Sequence, residues 1–262
     1  MYKYFISSLF ILFFTSTVVA QNEDDKITDS SEENTTTNDS TVIKQRYGIR
    51  FGADISKLVR TALDDNYQGF EINGDYRLSN RWYLAGELGN EQRTLENEQL
   101  NVTSKGSYFK AGVDYNLYRN WLDMENMIFV GFRVGASTFS QTLNSRTIFD
   151  VNNQYFGQPL TITTPIETDG LTAIWGEIML GIKAEVLSNL FMGINLQLKF
   201  LASETSSDNF ENLYIPGFNR TYDSGIIGAG FGYTISYMIP IYKKAKSSKK
   251  NDVDSEENSE DN

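Results

Sequence analysis

The stretch Ile227–Tyr242 constrains this chain more than any other. Its odd positions from 227 read Ile227, Ala229, Phe231, Tyr233, Ile235, Tyr237, Ile239 and Ile241. Its even positions read Gly228, Gly230, Gly232, Thr234, Ser236 and Met238. Side chains alternate across a β-strand, so one face is wholly apolar and the other is small and mostly polar. A water-facing strand would carry Lys and Glu on its polar face. Glycines and hydroxyls instead suit a crowded barrel interior, with the apolar face turned to lipid.

Seven further segments repeat the pattern: Tyr47–Ile55, Tyr67–Leu78, Trp82–Asn90, Gly106–Leu117, Met127–Ser140, Leu171–Leu187 and Leu190–Leu201. Most exceed the roughly 9–11 residues that a tilted strand needs to cross a bilayer. The connections alternate too. Ser79-Asn80, Tyr118–Asn126 and Ser188-Asn189 are short; Ser56–Asn66, Glu91–Lys105, Gln141–Gly170 and Ala202–Gly225 are long. Short periplasmic turns and long outer loops are the habit of outer-membrane barrels. The expected fold is therefore all-β: an eight-stranded antiparallel up-and-down transmembrane β-barrel in a Gram-negative outer membrane. An even strand count puts both termini in the periplasm. A soluble, lipocalin-like barrel is the competing architecture, and the outward Ile and Leu of the last three segments speak against it. Aromatics near strand ends suggest two interfacial girdles, with Tyr76, Trp82, Tyr115, Tyr118, Trp121, Tyr237 and Tyr242 at the periplasmic rim. Phe70, Phe109, Phe139 and Trp175 are assigned to the outer rim.

The flanks read differently. Met1–Ala20 has Lys3, the apolar run Phe5–Phe14 and Val18-Val19-Ala20, which is the form of a cleaved secretory signal. Residues 21–46 form an acidic linker with too few apolar side chains to fold, residues 47–242 the barrel, and residues 243–262 a charged tail expected to be disordered.

Composition narrows the chemistry. The chain has no Cys and no His, so thiol chemistry, disulfides and imidazole catalysis are absent. A net charge of −11 disfavours nucleic acid as a partner. No metal site and no cofactor are expected, and an enzyme is not. The expected partners are outer-membrane lipid and lipopolysaccharide, the barrel-assembly machinery, and an extracellular ligand reached through the loops.

Inward-facing charges are the main candidate constellation. Arg50, Arg77, Lys110, Arg133, Lys183 and Lys199 face Asp54, Glu71, Asp75, Glu87, Asp114, Glu177 and Glu185, a near balance. Side chains can fill an eight-stranded barrel, and buried charges need partners. One reading is a closed, salt-bridged lumen. The other is a narrow pore or small-ligand site, with Gly131, Gly135, Gly228, Gly230 and Gly232 leaving room. The outer loops carry more acids, Glu91 among them, than bases, Lys57 among them. One loop is unusually apolar: Phe210, Leu213, Tyr214, Ile215 and Phe218 surround Pro216-Gly217. It either folds over the barrel mouth as a lid or offers a contact patch to a partner.

Several stretches resemble a family of bacterial outer-membrane β-barrels classed as a domain of unknown function. They are Arg46-Tyr47-Gly48 with Asp54, Gly69-Phe70-Glu71, Asp75-Tyr76-Arg77-Leu78 and Ala85–Asn90 in the first part. Lys105-Gly106-Ser107-Tyr108, Asp114-Tyr115-Asn116-Leu117-Tyr118 and Val130-Gly131-Phe132-Arg133 follow. Gly181-Ile182-Lys183, Asn212–Tyr222 and Tyr233–Lys243 complete the match. The resemblance implies the fold and the compartment and no particular activity.

Overall fold

The structure is a computed structural model that describes residues 44–118, 125–148, 160–206, 211–220 and 225–245. The signal, most of the acidic linker, the tail beyond 245, Trp121 and Phe210 lie outside the described residues.

The elements in chain order are β1 (Lys44–Asp54), α1 (Ile55–Leu63), β2 (Tyr67–Arg77), β3 (Trp82–Glu96), β4 (Leu100–Asn116) and β5 (Met127–Ile148). They continue with β6 (Leu160–Ile162), β7 (Ile166–Leu187), β8 (Leu190–Glu204), β9 (Tyr214–Ile215), β10 (Asn219–Arg220) and β11 (Ile227–Ala245). Strands β1–β5, β7, β8 and β11 pair antiparallel with their sequence neighbours, and β11 closes on β1. The result is an eight-stranded up-and-down barrel. β6 adds to the free end of β5, and β9 pairs only with β10.

The pairing register fixes the tilt. From Arg50, opposite residues run Asp75, Ala85, Gly112, Arg133, Glu177, Lys199 and Gly228. Arg50 itself faces Met238, ten residues further along β11 than Gly228. Ten residues at about 3.3 Å each, over a circumference of eight strand spacings of about 4.8 Å, mean a tilt of roughly 40°. That is the tilt of membrane barrels.

The two faces separate as the alternation predicts. Phe51, Ile72, Leu84, Leu88, Phe109, Phe132, Leu180, Ile194, Leu196, Phe231 and Ile239 all point outward and are exposed. Charged side chains point inward and are buried. An apolar belt around a polar interior is the inverse of a soluble domain, and it marks a membrane barrel. No described helix is long and apolar enough to cross a membrane.

Several boundaries differ from the sequence reading. β1 starts at Lys44 and β11 ends at Ala245, and those two residues pair, so the barrel exceeds residues 47–242 at both ends. β3, β4, β5, β7 and β8 also run past the apolar belt. Glu91–Lys105, expected as a long loop, is mostly hairpin. Only Asn97–Gln99 joins β3 to β4, with the Asn97 side chain accepting from the amides of Gln99 and Leu100 at 3.0 and 2.6 Å. Outward positions there, such as Asn90, Lys105 and Ser107, are polar, so the hairpin carries no outward apolar face. Phe139 and Trp175, assigned to the outer girdle, are buried inside. They share parity with inward Arg133 and Glu177, and strand parity outranks nearness to a rim.

The segment after β1 is a helix rather than a loop. β1 stops opposite Thr234, while β11 continues back to Ile227 and β2 to Tyr67. α1 packs against both strands and occupies the place that β1 has left. Asp54 caps it, its carboxylate accepting from the Ser56 amide at 2.8 Å and the Ser56 hydroxyl at 2.6 Å.

Candidate functional site

The interior divides into three storeys along the barrel axis. At the rim where β1 begins and β11 ends, the connecting turns are tied by charge. Arg46 donates to Glu185 at 2.7 Å and to Asn189 at 3.0 Å. Its amide donates to Glu125 at 2.7 Å, and Arg77 reaches the other oxygen of Glu125 at 3.2 Å. Glu185 also accepts from the amides of Glu125 and Asn189. Glu185 is thus a rim residue that holds two turns, not a member of the central lumen cluster.

The middle storey is a lattice of ion pairs, some between adjacent strands and some across the lumen. Asp75 on β2 binds Arg50 at 2.6 Å and Lys183 of β7, across the lumen, at 2.8 Å. Asp114 on β4 lies 2.8 Å from Arg133 on β5, whose Nε is 3.5 Å from Glu87. Lys110 stands at the centre, 2.6 Å from Glu87, 3.3 Å from Glu71 and 3.9 Å from Glu177. It is only 1% exposed, so three carboxylates share one desolvated ammonium. Tyr83, Met127, Phe129 and Met179 form an apolar cluster in the interior. A cavity of about 30 Å³ lies among Asn73, Asp75, Glu87, Arg133, Lys183 and Asn195, room for about one or two waters.

The upper storey is closed by a segment of chain. Tyr214, Ile215, Pro216, Gly217 and Phe218 are all buried in the mouth, and Leu213 is half-buried. Phe218 meets Trp175 edge-on at 6.0 Å, and both belong to a cluster with Tyr108, Phe139, Leu171 and Ile215. Polar contacts fix the backbone. Ser104 donates to the Tyr214 carbonyl at 2.7 Å, Lys199 to the Gly217 carbonyl at 2.7 Å and Gln141 to the Glu211 carbonyl at 3.1 Å. Gly217 has φ +80°, and a Cβ there would sit 2.5 Å from the Tyr108 ring, so only glycine fits.

Glu91 holds this segment. One oxygen accepts from the Tyr214 hydroxyl and from the Gly217 amide, each at 2.9 Å. The other accepts from Tyr67 at 3.0 Å and from Lys57 of α1. Burial and the neighbouring Glu91 carboxylate hold the Tyr214 phenol well above its ordinary pKa, so it stays a donor. The sequence assigns Glu91 and Lys57 to the outer loops; both turn inward. For Glu91 a signal existed, because it continues the inward parity of Glu87 on β3. For Lys57 none did, because a nine-residue helix in a long connection has no strand parity.

The other expected lumen residues come together inside as parity predicts, except that Arg77 joins Glu185 at the rim and Asp54 has a different role. Asp54 makes no ion pair within 4 Å among the described residues; it caps α1 and accepts from the Tyr233 amide at 3.3 Å. No group of three or more acidic side chains that could hold a metal occurs among the described residues.

One protein family matches residues 1–244, and its description is a domain of unknown function, DUF6048. The chain belongs to the DUF6048 family. No curated relative matches it in sequence. Among solved structures, the DUF6048 chain is similar to Ail, the attachment invasion locus protein of Yersinia pestis. The TM-score is 0.35 at 10% identity, covering 74% of this chain and 98% of that one. So distant a likeness carries no function across to the DUF6048 chain.

Proposed function

We propose that this protein is a non-enzymatic outer-membrane β-barrel with a closed lumen, acting structurally or as a contact platform through the elements at its loop rim. The observation that carries the reading is the mouth segment Asn212–Phe218, packed onto Trp175 and tied by Glu91 and Lys199. Below it, cross-lumen pairs such as Lys183–Asp75 join opposite walls. A barrel filled this way has no continuous water path, and its cations and carboxylates neutralise one another rather than wait for a substrate. The first and last described residues of the barrel, Lys44 and Ala245, lie at the rim with short turns, which supports a periplasmic placement of both ends and an outward placement of the loop rim. Lipid and lipopolysaccharide are then its surroundings, and the barrel-assembly machinery its route into the membrane.

Recording across a planar lipid bilayer tests this. The purified barrel is expected to be silent. Steady single-channel conductance would overturn the closed lumen and favour a narrow pore or small-ligand barrel. That second reading has one observation behind it, the small polar cavity beside Arg133 and Lys183.

A further inference from the structure

α1 is amphipathic in the inverted sense. Its residues are Ile55, Ser56, Lys57, Leu58, Val59, Arg60, Thr61, Ala62 and Leu63. At 100° per residue, Ile55, Leu58, Val59, Ala62 and Leu63 fall on one side of the helix, and Lys57 and Thr61 on the other. In a soluble protein the apolar side would face the core. Here the polar side faces the barrel. Lys57 enters the interior to meet Glu91 and Glu71, and Arg60 lies over the Tyr67 ring at 4.1 Å. Leu58, Val59 and Leu63 stay exposed, Leu63 at 72%, and no residue of the helix is buried.

The position of α1 explains this orientation. Beyond Asp54, the wall between β2 and β11 has no strand. The edge of β2 from Tyr67 to Glu71 pairs with β3 on one side only, and the edge of β11 from Ile227 to Tyr233 with β8 only. α1 fills that gap and supplies polar contacts to both edges. The Thr61 hydroxyl accepts from the Gly69 amide at 2.9 Å and shares its proton between the Gly69 carbonyl at 3.1 Å and the Lys57 carbonyl at 2.9 Å. Asp54, at the helix cap, accepts from the Tyr233 amide. The flanking outward residues are Phe70 and Ile72 on β2 and Ile227 and Phe231 on β11, all exposed and all part of the apolar belt.

We propose that α1 is a stave of the barrel wall whose apolar side is covered by the acyl chains of the outer leaflet. The argument is continuity. Leu58, Val59 and Leu63 continue a belt that already faces lipid, across the gap that β1 leaves in the strand ladder. An unpaired strand edge is costly in hydrocarbon, and a helix satisfies its own backbone while shielding the edges beside it. The helix therefore closes the wall without a ninth strand, and lipid, not a protein, is its partner. This inference rests on the membrane reading above.

The chain has no cysteine, so single-cysteine variants report single sites. Leu58→Cys and Leu63→Cys would each carry a nitroxide in the full-length protein, reconstituted into phospholipid vesicles. Collision with oxygen, which concentrates in lipid, is compared with collision with a water-soluble nickel chelate. Leu196→Cys in the belt and Lys105→Cys on the polar hairpin are the references. Both helix sites are expected to match Leu196→Cys, with oxygen favoured over nickel. Helix sites that match Lys105→Cys while Leu196→Cys remains lipid-like would overturn the proposal and leave the barrel in its membrane. Helix sites shielded from both reagents, with spin–spin broadening lost on dilution with unlabelled protein, would assign the face to a second copy and also overturn it. A Leu196→Cys label in water would instead bring down the membrane reading itself.

Discussion

The lower and upper halves of the interior are closed by different means. Below, the lumen is filled by side chains that belong to the wall strands, and opposite walls are tied directly, as by Asp75 to Lys183. Above, the mouth is filled by a separate piece of chain, Asn212–Phe218, held by hydrogen bonds to Glu91, Ser104 and Lys199 and by packing on Trp175. A charge lattice built into paired strands cannot open without breaking the barrel. An inserted segment can leave while every strand stays paired. The difference separates stability, which resides in the lower half, from any opening, which would begin in the upper.

The largest effect should come from breaking the lower lattice at its centre. Lys110→Met leaves Glu71, Glu87 and Glu177 without their shared cation, and removing one partner of a buried pair costs about 3–5 kcal/mol. Urea unfolding in detergent micelles should show that loss, and a combined Lys110→Met, Glu87→Leu variant should recover part of it. Equal losses in both would mean that packing, not charge, sets the stability there.

Next in size is the upper latch. Glu91→Gln removes the charge from bonds to Tyr214, Gly217 and Lys57. Bonds to a charged group are worth about 1.5–3 kcal/mol. The variant should be cleaved faster by added protease within 211–220, yet keep the gel mobility shift between heated and unheated samples that a closed barrel gives. Loss of that shift would erase the distinction between the halves.

A smaller effect is expected where α1 joins the wall. Thr61→Val keeps the shape but loses both bonds to Gly69, at about 0.5–1.5 kcal/mol each. Amide exchange should quicken at Gly69 and leave the lower lattice unchanged.

The smallest concerns Asp64 at the end of α1. Its hydrogen bond to Arg93 holds its pKa below the ordinary carboxylate value. A depressed folded pKa contributes stability above the unfolded value, about 3.9, that is lost as pH falls through the folded one. Exchange in α1 should quicken slightly below about pH 4, and Asp64→Asn should abolish that dependence. Because the pair is partly exposed, salt should weaken it as well.

How much of this was legible before any coordinates depends on parity. Eight alternating segments predict eight strands, and parity alone places Arg50, Glu71, Asp75, Glu87, Lys110, Asp114, Arg133, Glu177 and Lys199 inside, where all are buried. Parity also places Phe139 and Trp175 inside, against the girdle assignment, and it reaches Glu91 once β3 is carried one residue past Asn90. What it could not convey was partner choice. Asp75 meets Lys183, 108 positions away in sequence, because a tilt of roughly 40° brings β2 and β7 to one level across the lumen.

The sequence by itself determined the strand count, the two faces and the inward charge, because each is a local property of a chain with period two. The tertiary structure alone decided which charges pair, that the apolar segment around Pro216-Gly217 turns into the mouth, and that a helix with its polar side inward takes the place of a strand. Those outcomes depend on closure. Only once β11 has met β1 is there an interior for Tyr214 and Phe218 to enter, and a gap in the wall for α1 to fill.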